Sequence, residues 1–200
     1  MSPRNINARE RLLEAARDVI RAKGFSATSV DDLCHAAGVT KGAFFHHFKS
    51  KEAIGVAAAD YWSETTSALF AEAPYHDHAD PLDRFLGYIE FRKELLTGDI
   101  AAFTCLVGTM VQETYETAPA IRDACNASIR GHAETLVADI EAAMAEHGVT
   151  GISAESLAFH AQAVIQGAFI LAKAQGSNRV AEESIDHLIR YVRLLFKRPD

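Results

Sequence analysis

Cysteine is scarce in this chain, and what there is has no metal-ligand spacing. The 200 residues hold three cysteines, Cys34, Cys105 and Cys125. No C-x-x-C pair occurs, so neither a zinc cluster nor a disulfide framework is indicated. Each thiol reads first as a small buried apolar side chain. A run of roughly eighteen apolar residues, the signature of a membrane span, is also missing. Met1-Ser2-Pro3-Arg4-Asn5 leads into a polar helix rather than an apolar leader core, so cytoplasmic residence is the expectation. Gly-rich phosphate loops, nucleophile elbows and metal-protease motifs are absent. Glu155 and His160 share a helix without a nucleophile to complete a triad. An enzyme is therefore not expected, nor is any cofactor or metal.

The length suits one large domain or two small ones and allows a core without staples. A 48% hydrophobic and 24% charged composition belongs to an ordinary globular chain. The net charge of −7 argues against a nucleic-acid partner only if averaged. Residues 1–51 carry a net +4 and the remainder −11. A basic head on an acidic body puts the phosphate-facing surface near the N-terminus.

Apolar periodicity is helical throughout, with no convincing strand and no internal repeat. Residues 7–22 align Leu12, Leu13, Ala16, Val19 and Ile20, and Gly24 closes the helix. Ser29, with Asp32 three residues on, starts a short helix to Ala37. Gly38 breaks it, and Thr40 caps another short helix, 41–48. Ser50 opens a longer one, reaching about Glu72 through Ile54, Ala58, Tyr61, Trp62, Thr65 and Leu69. After a polar loop at 74–81 come a helix with Leu82, Phe85, Leu86 and Ile89, an apolar stretch at 100–111, and a long helix from Pro119 to about Met144. Two final stripes run through Leu157–Ala172 and Ile185–Phe196. The expected fold is all-α with about nine helices, divided as 1–52 and 53–200.

Two short helices across a glycine turn make a helix-turn-helix, whose second helix enters the major groove. Val30, Leu33, Ala37, Val39, Phe44 and Phe48 would lock the pair. Thr40, Lys41, Gly42, Ala43, Phe45, His46 and His47 would then face outward. The stretch GFSATSVDDLCHAAGVTKGAFFHHFKSKEAI, residues 24–54, closely resembles the tetracycline-repressor (TetR) family of regulators. That resemblance implies an N-terminal DNA-binding domain and a larger C-terminal ligand-binding and dimerisation domain. It implies a homodimer on a double-stranded DNA operator, most often a repressor released by a small-molecule effector, here unidentified.

Carried over by position, Ser29 would cap its helix and offer hydroxyl or amide to a phosphate. Thr40 and Lys41 would reach base edges, Lys41 donating to guanine O6 and N7. Gly42 would permit close backbone approach. His46 and His47 would meet phosphate or base, and Lys51 a phosphate. Two positions depart from the family. Phe45 stands where a tyrosine is usual, and Ala43 where serine or threonine is common. Both remove a hydroxyl and leave a surface for a thymine methyl. Imidazole gains its charge near pH 6.5, so DNA affinity is expected to rise on acidification from about pH 8 to about pH 6.

In the acidic half, Ala161, Gly167, Ala168 and Ala172 suggest close helix packing. A dimer through helices at about 154–175 and 181–197 would form a four-helix bundle across a two-fold axis. The effector pocket is expected among Trp62, Phe85, Ile89, Phe103, Cys105, Met110 and Phe169, each of which also reads as plain core. Cys105 raises a thiol-sensor alternative, although no basic residue lies near it in sequence. The His76-Asp77-His78 loop reads as a polar tip rather than a metal site. A helical scaffold that kept the reader fold without DNA binding is the other alternative.

Overall fold

The computed structural model describes residues 7–198. Met1–Asn5, including Arg4 of the basic head, lie outside them. Among the described residues the chain is all helical. It runs α1 (Ala8–Lys23), α2 (Val30–Ala37), α3 (Lys41–His47), α4 (Lys51–Ala71), a 3-10 turn (Pro74–Asp77), α5 (Pro81–Glu94), α6 (Ile100–Phe103), α7 (Leu106–Thr114), α8 (Pro119–Glu134), α9 (Val137–His147), α10 (Ala154–Gln175) and α11 (Arg179–Leu195).

Among the described residues there are eleven α-helices where about nine were expected, because two stretches that read as continuous are broken. The 100–111 stretch divides at Thr104–Cys105, where Cys105 is extended and its Sγ accepts the Gly108 N–H at 3.4 Å, capping α7. The helix from Pro119 divides at Thr135–Leu136. There the Thr135 hydroxyl donates to the His132 carbonyl at 2.7 Å, competing with the backbone ladder, and Leu136 N–H bonds back only three residues, to Ala133.

The chain gathers into two compact units, and they do not follow the 52/53 line. Among the described residues, the first joins those up to Thr65 to Thr104–Ser128, and the second joins Thr66–Phe103 to those from Ile129 on. The first is larger than the head alone because α7 packs on α1. Its core contains Leu12, Leu13, Ala16, Ile20, Phe25, Leu33, Cys34, Phe44 and Phe48 from the head, with Leu106, Met110 and Ile121 from the later helices. A Cβ at Gly55 would lie 2.8 Å from both Phe25 and Ile121, so this position of α4 admits no side chain without displacement.

In the second unit α5 packs on α9 and α11, and α10 on α9 and α11. Leu82, Phe85, Ile89, Ile140, Leu157, Ile165, Ile185 and Val192 form its centre. Ion pairs tie α5 to its neighbours, among them Arg84–Asp139 at 2.7 Å and Lys93–Asp186 at 2.6 Å.

Among the described residues one helix, α10, is long and apolar enough to cross a membrane by length and composition. Its apolarity has a simpler geometric account. Leu157, Ala161, Ile165, Ala168, Phe169 and Ala172 are buried in the unit, while Ile170 and Leu171 on the other side are exposed. Among the small residues expected at a dimer seam, Ala161, Ala168 and Ala172 therefore face the chain's own core. Only Gly167 has open space beyond it.

Candidate nucleic-acid interface

The reading head is fixed by its caps. Asn7 accepts the Glu10 N–H at 3.0 Å to start α1. A reciprocal capping box starts α2: Ser29 Oγ accepts Asp32 N–H, and the Asp32 carboxylate accepts Ser29 N–H at 2.7 Å. Gly38 ends α2 in the left-handed conformation (φ 62°, ψ 42°), which glycine adopts without a Cβ penalty. Thr40 Oγ1 then accepts Ala43 N–H at 3.1 Å and starts α3. Phe44, completely buried, and Phe48 anchor α3 from beneath.

That anchoring turns the other face outward. Thr40, Lys41, Gly42, Phe45 and His46 are exposed, and Ala43 and His47 are half-buried. Phe45 is 55% exposed, an apolar ring that water alone would not favour there. The His46 and His47 rings meet edge to face at 4.9 Å.

Three of the expected contacts are engaged inside the free protein. Ser29 donates both its amide and its hydroxyl to Asp32, each at 2.7 Å, so in this state neither donor is open to a phosphate. Its role here is that of a cap. Lys51 does not extend outward either: its Nζ donates to the Ser26 carbonyl at 3.2 Å and lies 4.5 Å from the Phe25 ring centre. Burial lowers the Lys51 ammonium below its ordinary value. Lys41 pairs with Asp31 at 2.8 Å across the turn, and Asp31 raises its pKa. Lys23, foremost, and then the Ser29 hydroxyl and amide hold the Asp32 carboxyl well below the usual carboxylate range.

The expected pocket residues separate between the two units. Trp62, Cys105 and Met110 belong to the first; Phe85, Ile89, Phe103 and Phe169 belong to the second. Phe85, Ile89 and Met110 are at most 1% exposed and serve as core. Phe103 is half-exposed with its ring 6.1 Å from that of Phe169, and Trp62 is half-buried under the Arg21 guanidinium at 5.3 Å. Tertiary packing also brings Arg21 within electrostatic reach of Cys105, a basic neighbour that sequence proximity did not show.

Sequence reasoning missed a buried polar cluster in the second unit. Gln162 Nε2 donates to the Tyr88 hydroxyl at 2.7 Å, and that hydroxyl lies 3.0 Å from His132 Nε2. Burial, reinforced by the Arg92 charge, pushes the His132 pKa down to about 3. The ring is thus neutral, and its Nε2 accepts a hydrogen bond from the Tyr88 hydroxyl. Tyr88 is fully buried and Gln162 is 5% exposed. The available signal was Gln162, a polar residue inside the apolar stripe Ala158, Ala161, Ile165.

Arrangement and surface together define a helix-turn-helix protein with an exposed, basic second helix. Residues 12–58 match the family profile described as bacterial regulatory proteins, tetR family. Residues 81–185 match that of the transcriptional regulator LmrA/YxaF-like C-terminal domain. The chain belongs to the TetR family of transcriptional regulators.

Similar proteins include the transcriptional regulator AcuR of Cereibacter sphaeroides, 29% identical over 106 residues, 53% of this chain and 48% of AcuR. The chain thus spans about half the length of that relative. The transcriptional repressor NemR of Escherichia coli is 26% identical over 144 residues, 72% of either chain. The crystal structure of reduced E. coli NemR superposes with a TM-score of 0.77 at 25% identity, covering 93% of this chain and 97% of that one. The regulator CifR, solved as a cysteine mutant with a 26-base-pair operator duplex, shares the fold at a TM-score of 0.77 and 18% identity, with 95% and 98% covered.

Proposed function

We propose that this protein is a cytoplasmic, homodimeric repressor that binds a palindromic operator through α3 and leaves it when a small molecule binds. The observation that carries this reading is the outward face of α3, where Thr40, Lys41, Phe45 and His46 stand exposed beside a buried Phe44. The operator duplex solved with CifR and the repressor role of NemR support it by likeness. Lys41 provides base contact, His46 and His47 phosphate or base contact, and Ala43 and Phe45 apolar contact to a thymine methyl. Lys51 contributes only on leaving Ser26.

Dimerisation uses α10 and α11. Each has one face in the core and leaves apolar side chains outside: Ile170, Leu171, Tyr191 and Leu194 are 43% to 73% exposed. Gly167 leaves space for close approach. In a two-fold dimer on successive major grooves, the α3 helices stand about 34–36 Å apart. The functional division retains residues 1–52 as reader and 53–200 as ligand-binding and dimerisation part.

Selection of bound duplexes from a random pool tests this reading, followed by a screen for compounds that release them. A palindromic site is expected; no enriched site overturns it. Substituting Lys41 and His47 by alanine separates it from a scaffold, which would lose nothing.

A second reading has its own observation. Cys105 Sγ caps α7, and Arg21 lies within electrostatic reach of it. In this reading an electrophile alkylates the Cys105 sulfur, or hypochlorite oxidises it to a sulfenic acid with loss of chloride, and DNA is released. Treatment with N-ethylmaleimide and with hypochlorite should then weaken operator binding in the wild type and not in Cys105→Ser. Unchanged affinity of the wild type rejects it.

A further inference from the structure

The second unit contains a cation without a counterion. Along α5, Arg84 pairs with Asp139 and Lys93 with Asp186, both at under 3 Å. Arg92 is half-buried between them in sequence, yet among the described residues no carboxylate lies within ion-pair distance of it. Its guanidinium instead lies between two aromatic rings, 5.3 Å from the centre of Phe70 and 5.6 Å from that of Phe169.

The groups around it cannot neutralise it. Tyr88, one turn back on α5, donates a hydrogen bond to His132 and accepts one from Gln162. His132 is uncharged and already feels Arg92 as a repulsive neighbour. Its ring packs on Phe70 at 4.7 Å. Phe91 meets Phe70 at 5.5 Å, and Phe103 extends the aromatic surface from Phe169 at 6.1 Å. Arg92, Phe91, Phe103 and His132 each retain partial exposure, so solvent reaches the cluster. Every one of these residues belongs to the second unit.

We propose that Arg92, flanked by Phe70 and Phe169 and backed by the Tyr88–His132–Gln162 cluster, receives the carboxylate of an aromatic acid, which gives the effector its chemical class. A planar guanidinium fork matches a carboxylate bidentately, and a flanking aromatic surface suits a ligand ring. The inference rests on the proposed ligand-released repressor, but it has a separate readout because binding is measured without DNA.

The probe is benzoate, with benzamide as its uncharged counterpart, titrated into the full chain by calorimetry and thermal shift. Benzoate should bind and raise Tm, and benzamide should not. Arg92→Met, which keeps length and loses charge, should weaken benzoate by about tenfold or more, with Arg92→Lys intermediate because the fork is gone. Circular dichroism checks the fold of each variant. If Arg92→Met does not fold, the benzoate–benzamide contrast on the wild type and the Arg92→Lys loss decide the matter. Failure of benzoate, salicylate and phenylacetate to bind the wild type overturns the proposal, as does equal binding of acid and amide. Equal benzoate affinity of folded wild type and Arg92→Met also overturns it. An operator bound by a protein that ignores all three acids rejects this inference and leaves the repressor standing. Acid binding with no operator does the reverse.

Discussion

Glu113 on α7 accepts the backbone N–H of Ser26, the second residue after the Gly24 that closes α1, at 2.7 Å. The same carboxylate accepts the Phe25 N–H at 3.3 Å. Two donors beyond a helix end are thereby satisfied by a residue 88 and 87 positions away from them. Gly24 has φ 89° and ψ 161°, and a Cβ there would run into Glu113. The loop that leads into the reading helices is therefore shaped by α7.

Glu113→Ala should cost about 1–3 kcal/mol, since it removes a charged acceptor from two backbone donors. Gly24→Ala should also destabilise the fold, because it combines positive φ with a clash. Urea unfolding of both variants measures this. Wild-type midpoints would show that the carboxylate is only a surface contact.

In the proposed reading Asp31 should compete with DNA for Lys41. Their pair is exposed on both sides and screened by solvent, so little holds it against a phosphate-rich competitor. Asp31→Asn should tighten operator binding by about two- to fivefold through release of that pair. Lys41→Ala should weaken it by about five- to 150-fold if the guanine contact is made. Fluorescence anisotropy across a salt series reads both, and an Asp31→Asn protein that binds more weakly would contradict the competition.

Acid should destabilise the second unit through His132. Its pKa is about 3 in the fold and near the ordinary 6.5 when unfolded. The unfolded chain thus binds the extra proton first. Stability is complete above about pH 6.5 and falls toward pH 3, by up to about 1.4 kcal/mol per pH unit. Urea midpoints between pH 5 and 8, compared with His132→Gln, isolate this contribution; the variant should show a shallower dependence.

Leu194 is 73% exposed and Ile170 48%. Changing both to glutamate should convert a dimer to a monomer that retains its helicity, because a charge buried at an apolar seam is unpaired. Light scattering with circular dichroism checks this. A double variant that stays dimeric would place the interface elsewhere.

By itself the sequence determined the reader. Ser29, Gly38, Thr40 and the Phe44–Phe48 spacing are local signals, acting within one or two helical turns, and each lies where cap and periodicity rules put it. Class and family followed from that stretch. Tertiary structure decided what those residues do in the free chain: Asp31 holds Lys41, Asp32 takes both Ser29 donors, and Lys51 folds onto Ser26 and Phe25. It also decided where the helices break, where the compact units divide, and that Ala161, Ala168 and Ala172 point inward. The Arg92 cluster was invisible for the same reason. Phe70, Arg92, His132 and Phe169 come from four helices, and an unpaired cation is recognised only when the packed neighbours are known to carry no opposite charge.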